Sequence, residues 1–315
     1  MSTRGGSAAI AEPVADDERT PAQQAMDERD WSFGGAWPYA PRWHRSDGVR
    51  LHYVDEGPRD AAPIVMLHGN PTWAFLYRKL IRHFASEGAR VIAPDQLGFG
   101  RSDKPHRMRE HSVSRHCRLF DSLLAALELR DVTLIAHDWG GPVALSWATQ
   151  HPDRVRALAL VNTFIRPPRS RNRLASRMLE KGAHRSLRRT IEVAGAGEPL
   201  SSDERRAYAA PHPSWDSRTG VLALSRANTG RRAASTQALI QSAIDDLPQL
   251  RDKPALIVWS TDDSVLPASS LDEQRSLLPG ARVLELEGVG HLAPDSASEL
   301  VADAVLELRR EGHET

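Results

Sequence analysis

The chain has 315 residues, and its 41 lysines and arginines balance 41 aspartates and glutamates, so the formal charge at neutral pH is zero. That balance provides no field for nucleic acid, and a mean hydropathy of −0.45 without a long apolar run excludes a membrane span. A single cysteine, Cys117, cannot form an internal disulfide, which rules out a secreted disulfide scaffold and fits a cytoplasmic globular enzyme or binding protein.

Residues 1–30 contain no leucine and no aromatic residue and carry seven acidic side chains against three arginines, so they read as a disordered acidic tail. Folded-domain texture begins at Trp31, with Trp37 and Trp43 close behind. Short apolar or β-branched runs follow at Leu51–Val54, Ile64–His68, Val91–Asp95, Thr133–Asp138, Leu158–Thr163, Ala255–Ser260 and Val283–Leu286. Several are apolar almost throughout, as strands buried on both faces of a sheet must be. Helix-like stretches lie between them at Thr72–Ser86, Ser112–Leu129, Gly141–Gln150 and Ser296–Arg309. Alternation of this kind predicts an α/β fold with a mostly parallel, doubly wound sheet. The rhythm breaks from Pro167 to Ala243, where no strand is evident and arginine is dense. Between Arg166 and Arg232 there are fifteen basic residues and six acidic ones. An insertion there reads as a helical cap over the C-terminal edge of the sheet, the edge at which such folds bind ligands. Its arginines suit either a solvated face or a docking surface for a protein partner or an anionic substrate.

Three loops carry chemistry. Ala136-His137-Asp138-Trp139-Gly140-Gly141 follows an apolar strand and places small residues two before and two after Asp138, the spacing of a nucleophile elbow. Alone, that spacing fits an aspartate capping a helix equally well. His68-Gly69-Asn70-Pro71 ends an earlier strand, where a hydrolase of this architecture takes an oxyanion-hole N–H; the donors would be Asn70 and Trp139. Late in the chain, Thr261-Asp262-Asp263 follows one apolar run and Gly290-His291 the next, which completes the order nucleophile, acid, histidine.

With these motifs the sequence resembles an α/β-hydrolase of the haloalkane dehalogenase family, from Trp37 to about Leu308. The matching segments are His68-Gly-Asn-Pro-Thr-Trp73, Asp95-Gln-Leu-Gly-Phe-Gly-Arg-Ser-Asp-Lys-Pro105, His137-Asp-Trp-Gly-Gly141, Phe164-Ile-Arg-Pro167 and Gly290-His291. The resemblance implies an α/β-hydrolase core over residues 31–166 and 247–315, with a helical cap, 167–246, inserted after the sixth strand. It also implies that Asp138 displaces halide to form an alkyl-enzyme ester and that His291 activates the water that hydrolyses it. Asn70 and Trp139 would bind the halide, and no metal or organic cofactor is needed. One dehalogenase subgroup keeps its acid directly before Phe-Ile-Arg-Pro, but this chain has Asn162-Thr163 there. The acid should therefore follow the seventh strand, where the family spacing favours Asp263 over Asp262. The Asn–Trp halide pair with a late aspartate resembles the subfamily that also includes cis-β-lactone decarboxylases of long-chain olefin biosynthesis. Trp73 and Phe164 are expected to line the pocket. An epoxide hydrolase would share the aspartate but typically takes two phenols from its cap, where this chain offers only Tyr208. A non-catalytic binding protein with this fold would ordinarily have lost one of these residues.

Overall fold

The computed structural model describes residues 21–167, 191 and 200–311. Residues 1–30 form one unit and residues 31–315 another. Within the first, Pro21–Asp27 is a short helix, α1, in a stretch expected to be disordered. Proline suits a first helical position and Ala-Gln-Gln-Ala-Met is made of good helix formers, so local propensity accounts for the difference. Residues 1–20 lie outside the described residues.

The second unit is built on an eight-stranded sheet of order β1-β2-β4-β3-β5-β6-β7-β8. Its strands are β1 (Arg42–Ser46), β2 (Val49–Glu56), β3 (Pro63–Leu67), β4 (Arg90–Pro94), β5 (Val132–Asp138), β6 (Val155–Thr163), β7 (Ala255–Ser260) and β8 (Arg282–Leu286). Only β1/β2 and β2/β4 pair antiparallel; β4, β3, β5, β6, β7 and β8 run parallel. Every residue of β3, β5 and β6 is buried, as expected of strands covered on both faces. The edge strand β1, reading Arg-Trp-His-Arg-Ser, has no apolar run to announce it. It exists because Asp47 and Gly48, at φ 51° and 70°, make a two-residue hairpin turn that folds it back on β2.

Helices cover both faces. On one, α2 (Arg78–Ser86) packs with α9 (Ala293–Ser296) and α10 (Ser298–Glu311); on the other, α3 (Val113–Ala126) packs on α4 (Gly140–Gln150). Between β6 and β7 the described residues form α5 (Ser202–Ala209), α6 (Thr219–Ser225) and α7 (Ala233–Asp245), and α8 (Ser269–Leu277) joins β7 to β8. α7 rests on α4. Much of the arginine-dense stretch, 168–190 and 192–199, falls outside the described residues.

Strand order turns at β3 and β5. The chain builds outward from β3 to β4 and then crosses back to β5 on the other side. A crevice opens at such a point, beyond the C-terminal ends of the two strands. Gly69-Asn70 and Asp138 stand there. At the opposite edge, Arg309 of α10 donates to the Ala62 carbonyl (3.1 Å) and to Thr133 Oγ1 (3.3 Å), and the Arg309 carbonyl accepts from Arg156 (2.7 Å). The C-terminal helix is thus tied to the N-terminal ends of β3, β5 and β6.

Candidate active site

Asp138 ends β5 with φ 49°, a left-handed conformation that costs a side-chain-bearing residue free energy and turns the chain sharply into α4. Glycines make the turn possible. A Cβ on Gly140 would sit 2.1 Å from the Leu67 carbonyl oxygen, and one on Gly69 2.4 Å from Asp138 Cβ. The Thr163 hydroxyl donates to the Asp138 carbonyl (2.5 Å), fixing the end of β6 to the turn. The carboxylate thereby stands above the sheet, only 4% exposed, beside the N-terminus of α4, whose dipole favours negative charge.

One carboxylate oxygen, Oδ1, accepts the Asn70 main-chain N–H at 2.7 Å. Burial raises the Asp138 carboxyl above its ordinary range, while the charge of His291 and the N–H groups of Trp139 and Asn70 oppose that rise. The loop that brings Asn70 in is held by His68, whose Nδ1 donates to the Gly69 carbonyl (2.8 Å) and whose Nε2 accepts the Gln96 N–H (2.9 Å).

His291 follows β8 and is 2% exposed. Its Nδ1 bonds Asp263 Oδ2 at 2.8 Å, and its Nε2 lies 3.8 Å from Asp138 Oδ2 with no hydrogen-bond partner among the described residues. The three side chains predicted to act together are therefore assembled, with Asp263 rather than Asp262 on the histidine. Burial by itself would raise the Asp263 carboxyl, but the hydrogen bond and charge of His291 and the N–H groups of Leu266 and Val265 hold it below the usual range. Burial by itself would lower His291, but Asp263 and the Asp138 charge outweigh it and the imidazole is raised. His137, next to the elbow, bonds the His291 carbonyl through Nε2 (2.8 Å); burial, then His291, push it well below the ordinary histidine range, so it stays neutral.

Trp139 packs edge-on against Phe164, with ring centroids 5.0 Å apart. Two side chains depart from expectation. Asn70 Nδ2 donates to the Val221 carbonyl (3.1 Å) and to Ser225 Oγ (3.0 Å), so its amide protons are engaged by α6, which lies directly over the loop. Trp73 does not line the site. It is fully buried in an aromatic cluster with Trp31, Trp37 and Phe75, and its indole donates to the Ala207 carbonyl (3.1 Å), because the 31–37 segment folds over it. The Asp95 segment, prominent among the motifs, is structural. Asp95 accepts from His52 and from the N–H groups of Ala74 and Arg101, all at 2.8 Å; burial opposes its ionisation, but His52, His68 and the Ala74 N–H bring it down to about 2. Among the described residues no cluster of three or more His, Cys, Asp or Glu side chains could hold a metal ion, and no helix is long and apolar enough to cross a membrane.

The model of the α/β-hydrolase fold family matches residues 62–297. This chain belongs to that family. The chain is 37% identical to a haloalkane dehalogenase of Mycolicibacterium paratuberculosis over 226 residues, which cover 69% of this chain and 73% of the relative. It is 30% identical to a cis-3-alkyl-4-alkyloxetan-2-one decarboxylase of Shewanella oneidensis over 277 residues, 84% of this chain and 86% of that one. Among solved structures, a haloalkane dehalogenase from Paraglaciecola agarilytica NO2, described as tetrameric, superposes with a TM-score of 0.78 at 26% identity, covering 86% of this chain and 93% of its own.

Proposed function

We propose that this hydrolase cleaves carbon–halogen bonds of small haloalkanes. The observation that carries the reading is the Asp138 carboxylate, with Oδ1 held by the Asn70 N–H and Oδ2 facing the unpaired Nε2 of His291. A buried carboxylate needs no base to attack an sp³ carbon. Oδ2 forms the new C–O bond as the carbon–halogen bond breaks, and the halide leaves with the electron pair. Oδ1 becomes the ester carbonyl, already seated on the Asn70 N–H, which together with the Trp139 N–H would stabilise the oxyanion of the second step. His291 Nε2 takes a proton from water as the water oxygen adds to the ester carbon; Asp263 steadies the imidazolium. Collapse breaks the ester C–O bond, the leaving alkoxide takes the proton back from His291 and departs as the alcohol, and the regenerated Asp138 carboxyl loses the remaining proton to solvent. Trp139 and Asn70 receive the halide, Asn70 by exchanging its α6 partners for the anion. Higher identity to a dehalogenase than to a decarboxylase supports this substrate class.

A second reading, decarboxylation of a cis-β-lactone, is favoured by the longer alignment with the decarboxylase. Epoxide opening is disfavoured because Tyr208 is fully buried and donates to Asp295 Oδ2 (2.6 Å). The 167–246 segment is proposed to serve as the cap over this site.

Halide release from C2–C6 bromo- and iodoalkanes, with a long-chain cis-β-lactone alongside, separates the readings. Brisk halide release that disappears in Asp138→Ala is expected. Alkene formation with only a trickle of halide would replace the dehalogenase reading with the decarboxylase one, and silence on both substrates would leave a binding protein.

A further inference from the structure

The β5–β6 ladder runs one to one from Thr133↔Ala157 to His137↔Val161 and then jumps to Asp138↔Thr163. Asn162 is the extra residue, a bulge opposite the strand end that carries Asp138. Bulges bend a strand and re-aim a side chain. Asn162 has φ 40°, in the left-handed region that asparagine tolerates better than most residues, and it is fully buried. Its amide reaches across β7. Oδ1 accepts from both the N–H and the hydroxyl of Ser260 (3.1 Å each), which fixes which end of the amide faces onward. Nδ2 then donates to Asp263 Oδ2 at 2.9 Å and lies 3.4 Å from the Gly290 carbonyl.

With that bond the Asp263 carboxylate has four donors. Val265 N–H (2.7 Å) and Leu266 N–H (2.9 Å) hold Oδ1, while Asn162 and His291 share Oδ2. The two main-chain donors grip one oxygen only, so without Asn162 the other could swing away from the histidine. We propose that Asn162 is a positioning residue: the bulge in β6 aims its amide to lock Asp263 Oδ2 in line with His291 Nδ1, and so sets the basicity of His291. Asn162 acts through the Asp263 carboxylate. The proposal deepens the hydrolytic reading above, and its first readout needs no substrate.

That readout is the titration of His291, followed by NMR in the full chain. Asn162→Gly keeps the left-handed backbone and removes the amide. Its His291 is expected to titrate lower by about one pH unit, a tenfold loss of proton affinity. Asn162→Asp, which either shares a proton with Asp263 or adds a second negative charge, is expected to titrate at or above wild type. A titration unchanged or raised in folded Asn162→Gly would overturn the proposal; so would a fall in Asn162→Asp equal to that in the glycine variant, since that reports loosening of the bulge alone. If Asn162→Gly does not fold, Ser260→Ala, which removes one of the two donors orienting the amide, is read the same way: a smaller fall is expected and no fall overturns it. With 1-bromobutane, Asn162→Gly should slow breakdown of the covalent ester about tenfold, more than it slows the halide burst. A wild-type chain that releases no halide defeats the substrate reading and leaves the NMR test standing.

Discussion

His291 is raised by two neighbours, Asp263 through Nδ1 and Asp138 across 3.8 Å from Nε2. Only one of these persists through the proposed cycle. When Asp138 becomes an ester its charge is gone, and the histidine loses part of what kept it protonated at the moment it must accept a proton. The sign of the pH dependence follows. Ester hydrolysis needs neutral His291 and declines as falling pH protonates it, whereas the attack by Asp138 needs only an ionised carboxylate. Wild-type protein quenched during turnover of 1-bromobutane is therefore expected to carry more alkyl adduct at acidic than at mildly alkaline pH, read by intact-protein mass spectrometry. In His291→Phe the adduct should persist at every pH. An active wild type whose variant gains no mass would remove the covalent route. Chain order and small flanking residues pointed to Asp138 and His291 in the sequence, whereas the choice of Asp263 over Asp262 came only from the family spacing that the resemblance implies. Asn162 could be read there only as the absence of a carboxylate, because its role rests on a bulge that no spacing rule reports.

At the scale of elements, the buried strands could be recognised from their apolar runs, and β1 could not. Its only signal was Asp47-Gly48, two turn residues between segments of mixed polarity. The β5–turn–α4 unit shows how tightly an element constrains the site. Gly140 lies against the carbonyl of Leu67, a strand away, and main chain cannot give way as a flexible side chain does. Gly140→Ala is expected to push the start of α4 off β3 and to cost about 2 kcal/mol or more, within the range of overpacking in a close-packed core. The urea midpoint measures it, and a midpoint equal to wild type would show that α4 has room to shift. The same substitution should depress halide formation, since α4 and the Asp138 turn move together.

Across the whole molecule, the helices between β6 and β7 are seated by contacts distant in sequence. Arg78 of α2 bonds Asp295 of α9 (2.6 Å) and Glu204 of α5, Lys79 adds a second bridge to Asp295 (3.0 Å), and Tyr208 of α5 donates to the same carboxylate. Arg78 and Asp295 are almost wholly buried, so removing the Asp295 charge leaves the buried guanidinium with Glu204 as its one remaining carboxylate in this network. Asp295→Asn is expected to destabilise the protein by about 3 kcal/mol, the low end for a broken buried pair. Thermal unfolding measures the loss, and faster cleavage around α5 in limited proteolysis would place it at the seating of the insertion. Nothing in the sequence announced this network. Its members lie far apart along the chain and look like ordinary surface charges until the fold collects them.

The anchoring of Arg309 has a practical side. It holds the end of α10 against the N-terminal ends of β3, β5 and β6, while Asp138 crowns the far end of β5. A bead, electrode or fluorescent reporter coupled at Glu311 would sit at the floor of the molecule, at the end of the sheet opposite Asp138.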